Sequence, residues 1–160
     1  MNSTQALPEQ ALIDQLVQQH ASEPGSLLPL VHDSQDKLGF IPASSVPSIA
    51  QGLNLSRAEV HGVITYYHHF RSTAPGKHVI QVCRAEACQS CGSEELWALA
   101  EKLLGCKGHE PSANGMYSLE SVYCLGLCAS SPAVQIDDRL HARVNEAKLT
   151  RLVQTLEAAA

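Results

Sequence analysis

CRAEACQSC at residues 83–91 and CLGLC at residues 124–128 are two short cysteine segments around which the rest of the chain is organised. The first two cysteines have four residues between them, and the two cysteines of the second segment have three. Folding can bring such loops together and place four thiolates around one soft-metal centre. Four cysteine ligands suit a [2Fe–2S] cluster, a [4Fe–4S] cluster or zinc. We interpret the pattern as a [2Fe–2S] cluster that moves electrons one at a time. The candidate ligands are Cys83, Cys88, Cys124 and Cys128.

The composition is that of a globular chain and limits its partners. The chain has 160 residues, of which 44% are hydrophobic and 17% charged, and its net charge is -5. The negative charge argues against nucleic acid as a partner, and no apolar run approaches the roughly 18 residues of a membrane span. Residues 1–5 show neither the basic nor the apolar region of a secretion signal. Six cysteines without such a signal suit a reducing compartment, so we expect a cytoplasmic protein whose thiols bind metal or do redox work.

The first part of the sequence has helical periodicity. Leucine, isoleucine and valine recur at helical spacing in residues 8–20 and 26–38, and a shorter third helix is predicted after them. Ser56 and Glu59 form a capping box, in which each side chain satisfies a free backbone N–H group at the start of a fourth helix. We therefore expect residues 1–72 to form a helical bundle, which we interpret as a docking region.

From residue 73 onward the pattern predicts an α/β domain. Runs of β-branched residues predict strands, and leucines at helical spacing predict helices. The predicted strands are residues 78–82, 117–123, 132–136 and 140–144, and the predicted helices are residues 93–104 and 145–156. The order is β-α-β-β-β-α, and each cysteine pair follows a strand, where loops commonly carry ligands. Gly126 permits the second cysteine loop to turn tightly and brings backbone N–H groups towards sulfur. Residues 73–160 are thus the expected cluster domain.

A resemblance to a known family rests on three features of the sequence. NLSRAEVHGV at residues 54–63, the C-x4-C spacing and the C-L-G-x-C loop resemble the thioredoxin-like [2Fe–2S] ferredoxin subunits. These subunits accompany the flavin subunit of respiratory NADH dehydrogenase, of NAD-reducing hydrogenases and of NAD-dependent formate dehydrogenases. YYHHFR at residues 66–71 and VCRAEACQS at residues 82–90 are most similar to the gamma subunit of the soluble, molybdenum-containing formate dehydrogenases.

The resemblance implies a fold and a division of the ligands. A thioredoxin-like [2Fe–2S] domain would follow the N-terminal helices, with one iron on each cysteine loop. Cys83 and Cys88 would share one iron, and Cys124 and Cys128 would share the other. Pro132, at the start of the third strand, would follow the cis peptide bond that thioredoxin-like folds often have.

The same resemblance assigns the substrate chemistry to partner chains. The expected direct partner is a flavin subunit that binds FMN, NAD and its own iron–sulfur cluster. The expected complex also has a large subunit that oxidises formate at a molybdenum cofactor. The sequence is consistent with this assignment. No G-x-G-x-x-G follows a strand, no P-loop occurs, and no catalytic triad or carboxylate pair is supported by spacing. We therefore expect an electron-transfer subunit without a catalytic residue. The alternative is the equivalent subunit of respiratory NADH:quinone oxidoreductase or of an NAD-reducing hydrogenase.

Other interpretations of the cysteines stay open. Cys91 extends the first loop to C-x4-C-x2-C, the start of the plant-type ferredoxin spacing, in which Cys124 or Cys128 would be spare. Cys88 and Cys91 also form a C-x-x-C ahead of a helix, as in a thiol–disulfide oxidoreductase. A zinc-stabilised interaction module is a third alternative. Cys106 has no partner in the sequence and is expected to be a bystander.

Arg84 lies inside the first cysteine loop and has two possible roles. A cation there would stabilise the more negative, reduced cluster and so raise its reduction potential. The same side chain, with Glu86, could instead contact a partner subunit.

Overall fold

The computed structural model describes residues 6–107 and 110–158 of the chain. The chain divides into two compact units, residues 1–74 and residues 75–160, which we call the helical unit and the sheet unit. Each unit has its own cluster of buried apolar side chains. In the described ranges no helix is both long and apolar enough to cross a membrane.

The helical unit contains the predicted helices. They are α1 (Ala6–His20), α2 (Leu27–Leu38), α3 (Val46–Gly52) and α4 (Arg57–Tyr66), with a 3₁₀ turn at Ala43–Ser45 ahead of α3. The helix α2 ends at Gly39, whose left-handed φ of 80° suits a residue without a Cβ atom. The capping box at the start of α4 is confirmed, since the Ser56 hydroxyl accepts from the Glu59 N–H and the Glu59 carboxylate accepts from the Ser56 N–H.

Aliphatic side chains from all these helices form the core of the helical unit. Those almost inaccessible to solvent are Ile13, Leu16, Leu30, Val31, Ile41, Ile49 and Val60. Burying side chains of this size contributes roughly 1.5–3 kcal/mol each relative to exposure. The helices α1 and α3 approach closely where Gly52 faces Val17, because a Cβ atom at position 52 would overlap the Val17 side chain. The helical unit is therefore held together mainly by aliphatic packing.

The described residues of the sheet unit form a four-stranded mixed sheet with the strand order β2-β1-β3-β4. Its strands are β1 (His78–Cys83), β2 (Tyr117–Val122), β3 (Val134–Ile136) and β4 (Arg139–His141). The strand β1 pairs with β2 in parallel and with β3 antiparallel, and β3 pairs antiparallel with β4. The helices are α5 (Glu86–Gln89), α6 (Ser93–Leu104) and α7 (Glu146–Ala158).

The predicted α/β fold class and element order are confirmed, with small differences. The sheet core is formed by apolar residues of β1, β2 and β3, covered by α6 and α7. The single turn of α5 inside the first cysteine segment is an additional helix that the sequence did not predict. The third strand begins at Val134 rather than at Pro132, because proline has no N–H group for a strand ladder. The Ser131–Pro132 peptide bond is cis, as expected.

Candidate metal centre

The parallel pairing of β1 with β2 brings the two cysteine segments to one edge of the sheet. Cys83 is the last residue of β1 and pairs in register with Val122, the last residue of β2. The Arg84 N–H continues the pairing by donating to the Val122 carbonyl at 2.8 Å. Since Cys124 follows Val122 by two residues, both cysteine loops start from the same edge.

The first cysteine pair is buried. Cys83 and Cys88 are 1% and 2% exposed, and they pack against Ala133. The turn of α5 folds the loop back, with the Cys88 N–H donating to the Ala85 carbonyl at 2.9 Å. The side chains of Val122, Leu125 and Leu127 pack against the same cluster. The first pair therefore lies in an apolar environment built by both cysteine loops.

The second cysteine pair is exposed, and its sulfur atoms lie together. The Sγ atoms of Cys124 and Cys128 are 3.5 Å apart. The Gly126 N–H donates to the Cys124 Sγ atom at 3.3 Å, and Gly126 has a left-handed φ of 76°. Cys124 itself has a φ of 115°, a region in which a side chain costs roughly 1–3 kcal/mol. The tight turn predicted from Gly126 is therefore confirmed, and a backbone N–H group of the second loop hydrogen-bonds one sulfur atom.

Ser131 connects the two cysteine pairs, and nothing in the sequence pattern had identified it. Its Oγ atom lies 3.5 Å from the Cys88 Sγ atom and donates to the Cys128 carbonyl at 2.9 Å. Burial acts to raise the pKa of Cys88, but hydrogen bonds that involve Ser131, the Ala133 N–H and the Cys83 thiol together lower it. Ser131 therefore supports the first pair and fixes the backbone of the second.

The four thiols are close enough to influence one another electrostatically. The pKa of the Cys128 thiol is raised, first by its hydrogen bond to Cys124 and by repulsion from the charge on that thiol. Cys88 and Cys83 add further repulsion, although they belong to the other pair. A bound cation would reverse this repulsion, since metal coordination deprotonates thiols. The arrangement of the thiols is thus favourable for a metal centre.

The residues fit an iron–sulfur group by geometry and by donor type. A separation of 3.5 Å between the Cys124 and Cys128 sulfur atoms is too long for a disulfide. It is close to the roughly 3.8 Å between two thiolates that share a tetrahedral metal with metal–sulfur bonds of about 2.3 Å. Within the described residues no three His, Cys, Asp or Glu side chains are arranged around one ion. Two pairs of soft thiolates at one sheet edge are a donor set that would suit an iron–sulfur cluster.

The remaining cysteines have different surroundings. Cys91 is exposed, with its sulfur atom 3.9 Å from the Ser90 hydroxyl, and it adjoins a surface cavity of about 290 Å³. Cys106 is buried in the sheet core, and its thiol donates to the Tyr117 carbonyl at 3.6 Å. Burial raises the pKa of Cys106, which keeps this thiol in its neutral, unreactive form. Cys106 therefore contributes to the packing of the sheet unit.

Arg84 is held against α6. Its Nε and Nη2 atoms donate to the two carboxylate oxygens of Glu94 at 2.9 Å and 2.6 Å. Its guanidinium carbon lies 5.0 Å from the centre of the Trp97 ring. Most of the positive charge of Arg84 is therefore paired with Glu94, a contact that neither of the two roles suggested by the sequence included. An arginine and a glutamate ten residues apart match no recognisable sequence pattern, so the sequence did not predict this ion pair.

The helical unit has an apolar surface groove of about 840 Å³ between the start of α2 and the last turn of α4. Tyr66 is 74% exposed and Tyr67 is 42% exposed on its wall. The other apolar wall residues include Leu27, Leu28, Leu53, Leu55 and Val63. Glu23 and Glu59 add two carboxylates to the lining. We refer to this surface as the α2–α4 groove.

Comparison with known proteins relates this architecture to redox complexes. The sequence matches the family described as thioredoxin-like [2Fe-2S] ferredoxin over residues 13–157, a range that includes most of both units. NADH-quinone oxidoreductase subunit 2 of Thermus thermophilus is 31% identical over 134 residues, which cover 83% of this chain and 74% of that protein. The NAD-reducing hydrogenase HoxS subunit alpha of Cupriavidus necator is 27% identical over 145 residues, which cover 91% of this chain and 24% of that protein.

The fold also resembles that of a solved structure. A chain of NAD+-reducing [NiFe]-hydrogenase in the H2-reduced state superimposes on 88% of this chain with a TM-score of 0.70 and 21% identity. This chain spans only 23% of that hydrogenase chain. The similarity supports the thioredoxin-like fold, and the sequence match over residues 13–157 confirms the family. The chain therefore belongs to the thioredoxin-like [2Fe–2S] ferredoxin family.

Proposed function

We propose that this chain is an electron-transfer subunit that holds one [2Fe–2S] cluster and works beside a flavin- and NAD-binding subunit. The observation that carries the proposal is the meeting of a buried and an exposed cysteine pair at one sheet edge, with 3.5 Å between the exposed sulfur atoms. The names of the relatives, NADH-quinone oxidoreductase and NAD-reducing hydrogenase, describe redox complexes that use NAD. The proposed ligands are Cys83, Cys88, Cys124 and Cys128.

The chain's own residues would prepare the site for one-electron chemistry. A bound [2Fe–2S] cluster supplies a centre that gains and loses one electron at a time. The apolar packing around Cys83 and Cys88 keeps water from the first pair, and the Gly126 N–H stabilises negative charge on the Cys124 sulfur. Hydrogen bonds to sulfur and exclusion of solvent are the features through which a protein sets a cluster potential. The exposed second pair leaves a face that a partner can approach.

The partner chemistry follows from the electron count. NAD exchanges a hydride, which carries two electrons, whereas a [2Fe–2S] centre carries one. A flavin can do both, so the proposed neighbour is a subunit with FMN, NAD and its own iron–sulfur cluster. Further iron–sulfur clusters and the substrate site belong to partner chains in this proposal. The cysteine content suits a cytoplasmic complex, because free thiols persist in a reducing compartment.

Within this class we favour the gamma subunit of a molybdenum-containing, NAD-dependent formate dehydrogenase. The support is the similarity of residues 66–71 and 82–90 to that branch. Purification of the intact complex through a tag on this chain is the direct test. We expect molybdenum in the complex and formate-dependent reduction of NAD. A complex with nickel, or one that reduces quinone with NADH, would instead assign the chain to the hydrogenase or the respiratory branch.

We also propose that residues 1–72 dock the flavin- and NAD-binding subunit through the α2–α4 groove. An exposed apolar surface lined by aromatic residues is typical of protein interfaces. In the C. necator hydrogenase subunit the region similar to this chain is about a quarter of a longer protein, so there the module has a covalently attached neighbour. Deletion of residues 1–70 should leave a coloured sheet unit that no longer binds the flavin subunit. Undiminished binding in a pull-down would show that the sheet unit alone makes the interface.

Metal analysis of the freshly purified chain distinguishes this function from its alternatives. Under anaerobic conditions we expect a reddish-brown protein with about two iron atoms and two acid-labile sulfides per chain. Zinc without visible absorption would indicate the interaction module. A colourless protein that reduces disulfides would indicate catalysis by Cys88 and Cys91.

A further inference from the structure

The first cysteine loop is attached to the rest of the sheet unit at Arg84, between its two cysteines. The Arg84 N–H donates to the Val122 carbonyl, which links the loop to β2. The Arg84 side chain makes the two-pronged contact with Glu94 on the first turn of α6. The loop is therefore joined on one side to the strand that leads to the second cysteine pair, and on the other side to α6.

A further contact strengthens the attachment to α6. The Arg84 guanidinium lies over the face of Trp97, one turn along the helix from Glu94. Arg84, which directly follows Cys83, is thus held against α6 by Glu94 and by Trp97.

We propose that Glu94 is a positioning residue that holds the first cysteine loop in its metal-binding geometry through Arg84. This inference rests on the proposed [2Fe–2S] function. A carboxylate that binds a guanidinium through both oxygens fixes its orientation as well as its distance. The orientation matters because Arg84 directly follows Cys83 and its backbone moves with that cysteine. The ion pair also neutralises most of the Arg84 charge. The role of the side chain in this proposal is therefore to anchor the loop.

The solvent exposure of Arg84 and Glu94 limits how much their ion pair can stabilise the loop. The side chains of Arg84 and Glu94 are 29% and 46% exposed, and exposed ion pairs are screened by water. Breaking the contact is expected to change the rate of cluster loss by about fivefold. This is the upper end of the effect of exposed ion pairs. The other attachments of residues 84–89 are backbone bonds, the buried packing of Cys88 and its contact with Ser131, so the pair with Glu94 is the side-chain contact that joins the loop to α6.

The test compares Glu94→Gln with Glu95→Gln in the full-length, cluster-loaded chain. Both variants remove one negative charge from the first turn of α6, and the carboxylate that pairs with Arg84 is that of Glu94. The readouts are the rate at which a chelator bleaches the visible spectrum, the electron paramagnetic resonance spectrum of the reduced chain, and amide hydrogen exchange in residues 84–90. We expect Glu94→Gln to bleach about fivefold faster, to show broadened resonances and to exchange faster, and Glu95→Gln to resemble the wild type.

A double-mutant comparison separates positioning from a simple loss of charge. If Glu94 acts through Arg84, the double variant should bleach no faster than the faster of the single variants Arg84→Ala and Glu94→Ala, since each single substitution already removes the shared ion pair. Additive effects of the two substitutions would overturn the proposal, as would wild-type bleaching, spectra and exchange in Glu94→Gln. A wild-type chain that holds no iron would overturn the proposed function as a whole, whereas an iron-loaded wild type with an unaltered Glu94→Gln variant would overturn only this inference.

Discussion

Replacement of Cys128 by alanine, compared with the same replacement of Cys91, tests the proposed ligand set most directly. Both thiols are exposed, so neither substitution removes core packing. Surface substitutions of this kind usually change the free energy of unfolding by no more than about 0.5 kcal/mol. The two variants are therefore expected to fold equally well, and any difference in metal content is an effect on the site itself.

The expected difference between the two variants is large. The Cys128 sulfur lies 3.5 Å from the Cys124 sulfur, so alanine at position 128 leaves Cys124 as the only thiolate of its pair. Loss of a supporting residue behind a metal ligand already costs about 10–100-fold in metal affinity, and loss of the ligand itself should exceed that. Iron and sulfide should therefore fall from about two of each per chain to well below one in Cys128→Ala. Cys91→Ala should keep the wild-type content, because the Cys91 sulfur lies beside Ser90 at the surface.

The assay is iron and acid-labile sulfide analysis after anaerobic purification, with the visible spectrum recorded on the same samples. Far-ultraviolet circular dichroism and a thermal melt of the cluster-free proteins verify that both variants fold. The reasoning is refuted if Cys91→Ala loses its colour while Cys128→Ala keeps it. That result would establish the plant-type spacing, with Cys91 as a ligand.

Three further predictions, which use four substitutions, test packing and docking. Cys106→Ala should lower the free energy of unfolding of the sheet unit by about 1 kcal/mol in urea titrations, since it opens a small buried cavity, while the visible spectrum stays unchanged. Gly76→Ala should cost about 1–3 kcal/mol, because the new Cβ atom would lie about 2.5 Å from the β2 backbone, whereas Gly62→Ala meets open space and should be neutral or stabilising. Tyr66→Ala should weaken binding of the flavin subunit at least tenfold in calorimetry without altering the melting temperature, as truncation of an aromatic interface anchor costs roughly 2 kcal/mol. Wild-type affinity in that variant would remove Tyr66 from the proposed interface.

The sequence predicted those features that depend on neighbouring residues. The capping box needs only Ser56 and Glu59, and the turn of the second loop needs only Gly126 between its cysteines. Helical and strand periodicity likewise located the main elements and the strand ends that precede each cysteine pair. The single turn of α5 could not be predicted, because four residues between Ala85 and Ser90 are too few to show a period.

The features that the sequence did not predict are contacts across the fold. Ser131 reaches Cys88 across 43 residues of chain, and no pattern links a serine before a proline to a distant thiol. Glu94 reads as an ordinary acidic residue of a first helical turn, and its pairing with Arg84 depends on how α6 packs. Such contacts arise from tertiary packing, so they become visible only once the sheet and the helices are in place.

The unequal exposure of the two cysteine pairs has a consequence for the durability of the protein. Oxygen, peroxides and chelators approach from water, so a cluster on these ligands would be attacked first at Cys124 and Cys128, while Cys83 and Cys88 stay covered. Damage would thus begin at one end of the site and would not require the chain to unfold. A partner that covers the second loop would slow this attack, so the half-life of the loaded chain in air would depend on whether it is assembled.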